Sequence, residues 1–312
     1  MSEPRTIVSL IASATEIVCA LGLQEQLVGI SHECDFPAEV QSLPVLSRPK
    51  LDPQKPGDQI DQRVRELVKS GLSVYEVDVD QLEALRPDLI VTQDHCEVCA
   101  VSLKDLEEAT CRTTLKDTKI CSLRPNSLGE VYDDFQRVAN FAGIPEKGSA
   151  LVQTFQKRLQ SLQQKSSQLG SRPRVACLEW LSPPMLAAGW MVDLVRAAGG
   201  EPVVADEGKS FSTITWDTLH QLDPDIIVVM PCGYPVEQSL RDLKDTNLQT
   251  QLGQLRAAHD EAVWIVDGNA YFNRPGPRLL DSAEILAALL HPSHFPELQT
   301  RFAESVVAWK KP

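Results

Sequence analysis

Short apolar runs alternate with amphipathic stretches along the first half of this chain. Thr6-Ile7-Val8-Ser9-Leu10 predicts a strand, and Ala14 to Leu23 carries helical spacing behind Ser13 as an N-cap. Leu27-Val28-Gly29-Ile30 predicts a second strand, Ile60 to Ser70 a charged amphipathic helix, and Val74-Tyr75-Glu76-Val77 a third strand. Asp80 to Leu85 predicts a short helix stopped at Pro87, before the strand Asp88-Leu89-Ile90-Val91-Thr92. The grammar then repeats. Arg174 to Leu178 predicts a strand, Met191 to Ala198 a helix ended by Gly199-Gly200, and Pro202-Val203-Val204 a strand. Trp216 to Leu222 predicts a short helix before Pro224, and Ala262 to Val266 a strand.

One echo between the halves is specific. Leu82, Leu85, Pro87, Asp88, Leu89, Ile90 and Val91 recur at the same spacing as Leu219, Leu222, Pro224, Asp225, Ile226, Ile227 and Val228. Chance matches apolar positions easily, but a Pro-Asp pair in register is harder to match. Two similar α/β lobes are therefore expected, over residues 1–124 and 171–312. Between them, Ser127-Leu128-Gly129-Glu130 has capping-box spacing, and Leu128, Val131, Tyr132, Phe135 and Val138 form an apolar stripe. Leu151, Phe155, Leu159 and Leu162 continue at helical spacing, so residues 125–170 predict an interlobe helical stretch.

Composition narrows the functional classes. A chain of 312 residues is long enough for about two domains. Its 30 Lys and Arg against 43 Asp and Glu give a net charge of -13, with no basic stripe to attract nucleic acid or anionic membrane. No run of about 18 apolar residues predicts membrane insertion. Met1 to Thr6 carry no basic region leading into a signal-peptide core, which predicts a cytoplasmic protein. Its eight cysteines are then expected as thiols or metal ligands.

The candidate chemistry lies in two clusters directly after predicted strands: His32-Glu33-Cys34-Asp35 and Gln93-Asp94-His95-Cys96-Glu97-Val98-Cys99. Ligands of open α/β sheets bind beyond the carboxyl ends of the strands, so both loops are expected to line one crevice. The second lobe offers Glu179-Trp180 after its first strand, Phe211 in a loop, and Tyr271-Phe272-Asn273-Arg274 after the Val266 strand. A few polar groups among apolar walls suit a small-molecule pocket. Cys96 and Cys99 have the spacing at which two thiolates grip one ion, and Cys34 with His32 or His95 would complete a set suited to zinc or iron. A redox dithiol, or residues that merely line a cleft, stay open beside that reading. Cys19, Cys177 and Cys232 sit in apolar runs and are expected as core thiols. Gly199-Gly200 opens no phosphate loop and no nucleophile elbow occurs, so no enzyme is expected.

With these residues in hand, the chain resembles the cobalamin-binding branch of the class III ABC-transporter substrate-binding proteins. The resemblance rests on Ile7-Val8-Ser9-Leu10-Ile11-Ala12-Ser13-Ala14-Thr15-Glu16, on Asp35-Phe36-Pro37, on Leu85 to Val91, and on Asn273-Arg274 with Pro277-Arg278. It implies two small α/β lobes with mainly parallel sheets, joined by one long helix, and a corrinoid held between the lobes without catalysis. Trp180 and Phe211 match positions that face the corrin ring, and Arg274 matches a polar contact. Glu33 and Gln93 stand where the family carries aromatic residues, and Ala270 where it carries an acid. His32 or His95 is read as a replacement axial ligand on cobalt. Asp80 and Asp217 match the acids, one per lobe, that dock on transporter arginines, and are read as the contact for a protein partner. A cytoplasmic offshoot with a remodelled cleft is the resulting expectation.

Overall fold

In the computed structural model, which describes residues 4–69, 74–93, 115–204 and 211–311, the apolar runs become strands of two main sheets. The chain divides into two compact units, Met1–Pro125 with Gly129–Thr154, and Asn126–Leu128 with Phe155–Pro312.

The first unit contains β1 (Ile7–Ser9), β2 (Leu27–Ile30), β3 (Ser47–Pro49), β4 (Tyr75–Val77), β5 (Leu89–Gln93) and β6 (Lys119–Leu123). Four of them form a parallel sheet in the order β2-β1-β5-β6, while β3 and β4 pair as an antiparallel ribbon. The chain steps outward from β1 to β2 and later returns to β5 on the other side of β1. The switch point thus lies between β1 and β5, where open α/β sheets take ligands. β1 and β5 are buried along their whole length, as parallel strands covered on both faces must be. Val8, Leu10, Ile90 and Ile120 pack on one face against Leu46, Leu82 and Leu115. The Ala12–Ala20 helix covers the other face, where Thr15 Oγ1 donates to Ser9 Oγ at 2.8 Å.

The second unit contains β7 (Arg174–Leu181), β8 (Pro184–Ala187), β9 (Glu201–Pro202), β10 (Phe211–Thr213), β11 (Ile226–Val229), β12 (Val263–Val266) and β13 (Val306–Ala308). β7, β11 and β12 form its parallel centre, and β9 adds in parallel to the start of β7. β8, β10 and β13 are antiparallel additions at the edges. The expected class, α/β with mainly parallel sheets, is therefore observed.

The Pro-Asp echo is a structural module. Helices Val79–Leu85 and Trp216–Leu222 each begin with a capped N-terminus, Asp78 accepting from Gln81 N and Thr215 from Thr218 N. Each ends on a left-handed residue, Arg86 at φ 47° or Asp223 at φ 43°. A proline follows, which cannot continue a helix. The aspartate after it then clamps the start of the first strand. Asp88 Oδ2 accepts from Arg5 N at 2.8 Å and Thr6 N at 3.1 Å, and Asp225 Oδ2 accepts from Arg174 N at 2.7 Å.

Several local expectations need correction. Ser13 lies inside the first turn of its helix; the N-cap is Ile11, whose side chain offers no acceptor. The interlobe stretch resolves into two helices, Leu128–Phe141 and Pro145–Ser166, and the division between units falls within the second. Phe211 sits on β10, an edge strand too short to show a period, and not in a loop. Cys232 is exposed and not a core thiol, because it follows β11 in a turn whose Gly233 takes φ 74°. Cys177 is buried as expected, whereas Cys19 is only half-buried. Among the described residues, no helix is long and apolar enough to cross a membrane.

Candidate functional site

In the first unit the site is built at the carboxyl ends of β2 and β5. The chain leaves β2 at Ile30 and is held at once by Ser47, whose Oγ accepts from His32 N at 3.2 Å and lies 2.8 Å from His32 Nδ1. Burial pushes the His32 imidazole below its ordinary range, which keeps it neutral at pH 7. With Nδ1 occupied, Nε2 is the ring nitrogen left to face a ligand; its neighbour is Glu33 Oε1, 4.0 Å away. Tyr75 OH donates to that same carboxylate oxygen at 3.0 Å, and its ring lies 5.0 Å from the imidazole. β4 thus fixes a residue of the β2 loop. Cys34 turns inward and is buried, its Sγ 3.0 Å from Thr15 Oγ1 and 3.2 Å from Ser31 Oγ. Gln93 closes β5 and is also buried, at 5% exposure.

The predicted metal set is brought together only in part. His32 and Cys34 share one loop, while Asp94, His95, Cys96 and Cys99 lie outside the described residues. Among the described residues, no group of three His, Cys, Asp or Glu side chains could hold a metal ion.

In the second unit, Glu179 and Trp180 lie within β7 and not beyond it. Leu178 faces Leu186 and Trp180 faces Met185, so Glu179 is the extra residue of a β-bulge. Such a bulge bends the strand and re-aims the next side chain. Trp180 is half-buried, donates Nε1–H to Ser182 O at 3.2 Å, and meets Tyr234 edge-on at 5.3 Å between ring centres. Phe211 is 44% exposed on β10.

The loop after β12 is tied internally. Asp267 accepts from Ala270 N at 2.7 Å and opens the π-helical turn Gly268–Phe272. A Cβ at Gly268 would run into the backbone of Met230 and Pro231, so only glycine permits this approach. Asn273 Nδ2 donates to Met230 O at 2.9 Å and Gly268 O at 3.1 Å, which fastens the loop to the end of β11. Arg274 is only 6% exposed and donates from Nη2 to Asn269 Oδ1 at 3.0 Å. Tyr271 is half-buried, its ring edge-on to Phe302 at 5.9 Å and under the Arg278 guanidinium at 5.5 Å. Asn273 and Arg274 therefore shape the loop at least as much as they face outward. Sequence reasoning passed over Tyr75, Tyr234 and Trp190, whose Nε1 donates to Phe272 O at 3.1 Å. Nothing local marks these three residues, because their partners are remote in the chain.

The chain matches the Periplasmic binding protein family over residues 7–258. It belongs to that family. Among curated relatives it is 24% identical over 302 residues to an uncharacterized ABC transporter substrate-binding lipoprotein, YvrC, of Bacillus subtilis, covering 95% of this chain and 82% of the relative. It is 22% identical over 288 residues to a vitamin B12-binding protein of Vibrio cholerae, covering 91% and 88%. Among solved structures, a periplasmic heme-binding protein of Pseudomonas aeruginosa aligns with TM-score 0.70 at 20% identity, covering 93% and 94%. The fold is thus that of the class III binding proteins, and the chain is a non-catalytic solute-binding protein. These matches overturn the cytoplasmic expectation: the family is periplasmic, and the Bacillus relative is a lipoprotein. The composition of the first six residues was too slight a basis for assigning a compartment.

Proposed function

We propose that the solute is a corrinoid. The observation that carries this reading is the extended similarity to a vitamin B12-binding protein over nine-tenths of the chain. The site chemistry supports it. Trp180, Phe211 and Tyr271 offer ring surface to an apolar macrocycle. Glu33, Gln93, Asp94, Glu179, Asn273 and Arg274 supply the polar rim. His32 is neutral and bonded through Nδ1 to Ser47, the kind of hydrogen bond that orients a metal-binding imidazole, and it would reach cobalt through Nε2.

Delivery to an ABC permease is the role of substrate-binding proteins as a class. Asp80 and Asp217, exposed in the first turns of the two module helices, are proposed as its docking acids.

A second reading takes heme or a metal ion such as zinc or iron as the ligand. The structural likeness to a heme-binding protein favours it, with Cys34, His95, Cys96 and Cys99 as the candidate ligands. Titration of the reduced protein with hydroxocobalamin, followed by tryptophan fluorescence, separates the two. Saturable quenching at one equivalent, lost in Trp180→Ala, supports the corrinoid. No quenching, with stoichiometric metal retained after anaerobic reconstitution and lost in Cys34→Ser, supports the metal.

A further inference from the structure

The carboxyl edge of the first sheet holds a small set of buried polar groups that no described residue satisfies. Ser9 and Val91 are partners across the parallel pair β1–β5, so both side chains point to one face. Gln93, two residues beyond Val91, points to the same face. That face carries the Ala12–Ala20 helix, as the Thr15–Ser9 hydrogen bond shows. The helix starts directly after β1, and Leu10 N donates to Val91 O at 2.9 Å. Its N-terminus and the Gln93 amide therefore meet at one corner, beside the switch point.

The groups at this corner lack partners among the described residues. Gln93 Oε1 and Ser13 Oγ are buried without a hydrogen bond, in side chains that are 5% and 1% exposed. Ile11 gives the helix no side-chain cap. Among the described residues, the N–H groups of Ala12, Ser13 and Ala14 donate to no carbonyl outside the helix. Buried polar groups are almost always paired, and a set of orphans at a ligand-binding edge implies a partner that arrives with the ligand. Thr92 Oγ1 and Ser122 Oγ are unpaired too, but they point to the opposite face and are not part of this corner.

We propose that Gln93, Ser13 and the N-terminus of the Ala12–Ala20 helix form a subsite for a primary carboxamide on the rim of the ligand. The inference rests on the small-molecule reading above and deepens it. Helix N–H groups and the Ser13 hydroxyl suit the carbonyl oxygen of such a group. Gln93 is itself a primary amide, which pairs head to head with another through one donor and one acceptor. The discriminating atom is Gln93 Oε1. A carboxamide supplies the N–H that Oε1 accepts, whereas a carboxylate pairs with Gln93 only after the amide turns over to present Nε2. The corner therefore selects a macrocycle edged with amides, as a corrinoid is, over one edged with carboxylates.

Two probes present amides or carboxylates on the same ring: dicyanocobinamide and its hydrolysed heptacarboxylate. The second also carries about seven negative charges against a protein of net charge -13, so the change in preference on Gln93→Leu is the reading that tests the subsite. The expected result is binding of the amide at least about tenfold tighter by the wild-type protein, with the preference reduced about tenfold in Gln93→Leu and partly in Ser13→Ala. Unchanged thermal midpoints in both variants would show that the loss is one of recognition. Equal affinity for the two probes, or a preference that survives Gln93→Leu, would overturn the subsite while leaving corrinoid binding intact. Binding of hemin with neither corrinoid bound would overturn the corrinoid reading and the subsite with it.

Discussion

The two units share a module and differ at their edges. Helix, left-handed stop, Pro-Asp and strand recur in both, down to the aspartate that accepts from backbone N–H groups just before β1 or at the first residue of β7. The carboxyl edges diverge. One carries an imidazole, a thiol, hydroxyls and an amide whose Oε1 has no partner among the described residues; the other carries aromatic rings and a loop closed on itself by Asp267, Asn273 and Arg274. The shared part is thus the frame, and the residues proposed to meet the ligand lie on the segments that differ. A frame that is fixed by backbone clamps leaves its edges free to change chemistry.

The sharpest way to break this comparison is at glycine. Gly268→Ala is expected to destabilise the protein by about 3 kcal/mol and to abolish ligand binding, because the clash is with backbone. Gly29→Ala in the first unit meets side-chain ends, Leu46 Cδ1 at 2.5 Å and Leu85 Cδ1 at 3.0 Å, and no backbone, and should cost less. Urea unfolding of the two variants checks the contrast.

The next effect belongs to the first unit. Burial pushes the Asp134 carboxyl up to about 7, although Arg137 lies 3.3 Å away. A folded-state value above the unfolded one stabilises at low pH, and that contribution is lost as pH rises from the unfolded value through about 7. Asp134→Asn should remove this slope and raise stability by about 2 kcal/mol above pH 7, read from melts across a pH series.

The two clamps provide a balanced pair. Asp88→Asn and Asp225→Asn should each cost about 1 kcal/mol, through weakened bonds to backbone N–H groups. The Arg174 N–H and the Arg256 guanidinium hold the Asp225 carboxyl below its usual range. Its contribution is therefore present above the unfolded value and fades as pH falls through the lower, folded one. Acid titration of stability in Asp225→Asn should lack that component. The smallest expected effect is at Asp80 and Asp217, where alanine should shift stability by a few tenths of a kcal/mol and leave ligand affinity unchanged. Any large loss of affinity there would move ligand recognition away from the strand ends.

Much of the frame was legible because it obeys local rules. Periodicity and a following proline place the Trp216–Leu222 helix at its observed limits, and the Pro-Asp echo carries a real equivalence. The edges were less legible, since their geometry depends on remote partners. β8 and β10 are too brief to show a period, and β10 gives Phe211 its position. The bulge at Glu179 exists only as an offset against β8, so the sequence pattern ends the strand at Leu178. Asn273 reads as a free amide until Met230 O is seen to accept from it. Ser13 reads as a helix cap, and a shift of two residues turns it into a buried hydroxyl facing a ligand corner.

The clamps also bear on chain entropy. Asp88 reaches back 83 residues to Arg5, and Asp225 reaches back 51 to Arg174. Closing a loop costs only about 0.6 kcal/mol more for each doubling of its length, so the longer clamp is costlier by less than about half a kcal/mol. Residues added between the clamped ends therefore weigh little against folding. The β2 loop with His32, Glu33 and Cys34 lies inside one such span, and the bulge with Trp180 and β10 with Phe211 lie inside the other. Those stretches can lengthen or shorten around a new ligand at almost no entropic cost, while the clamps that bracket them stay where they are.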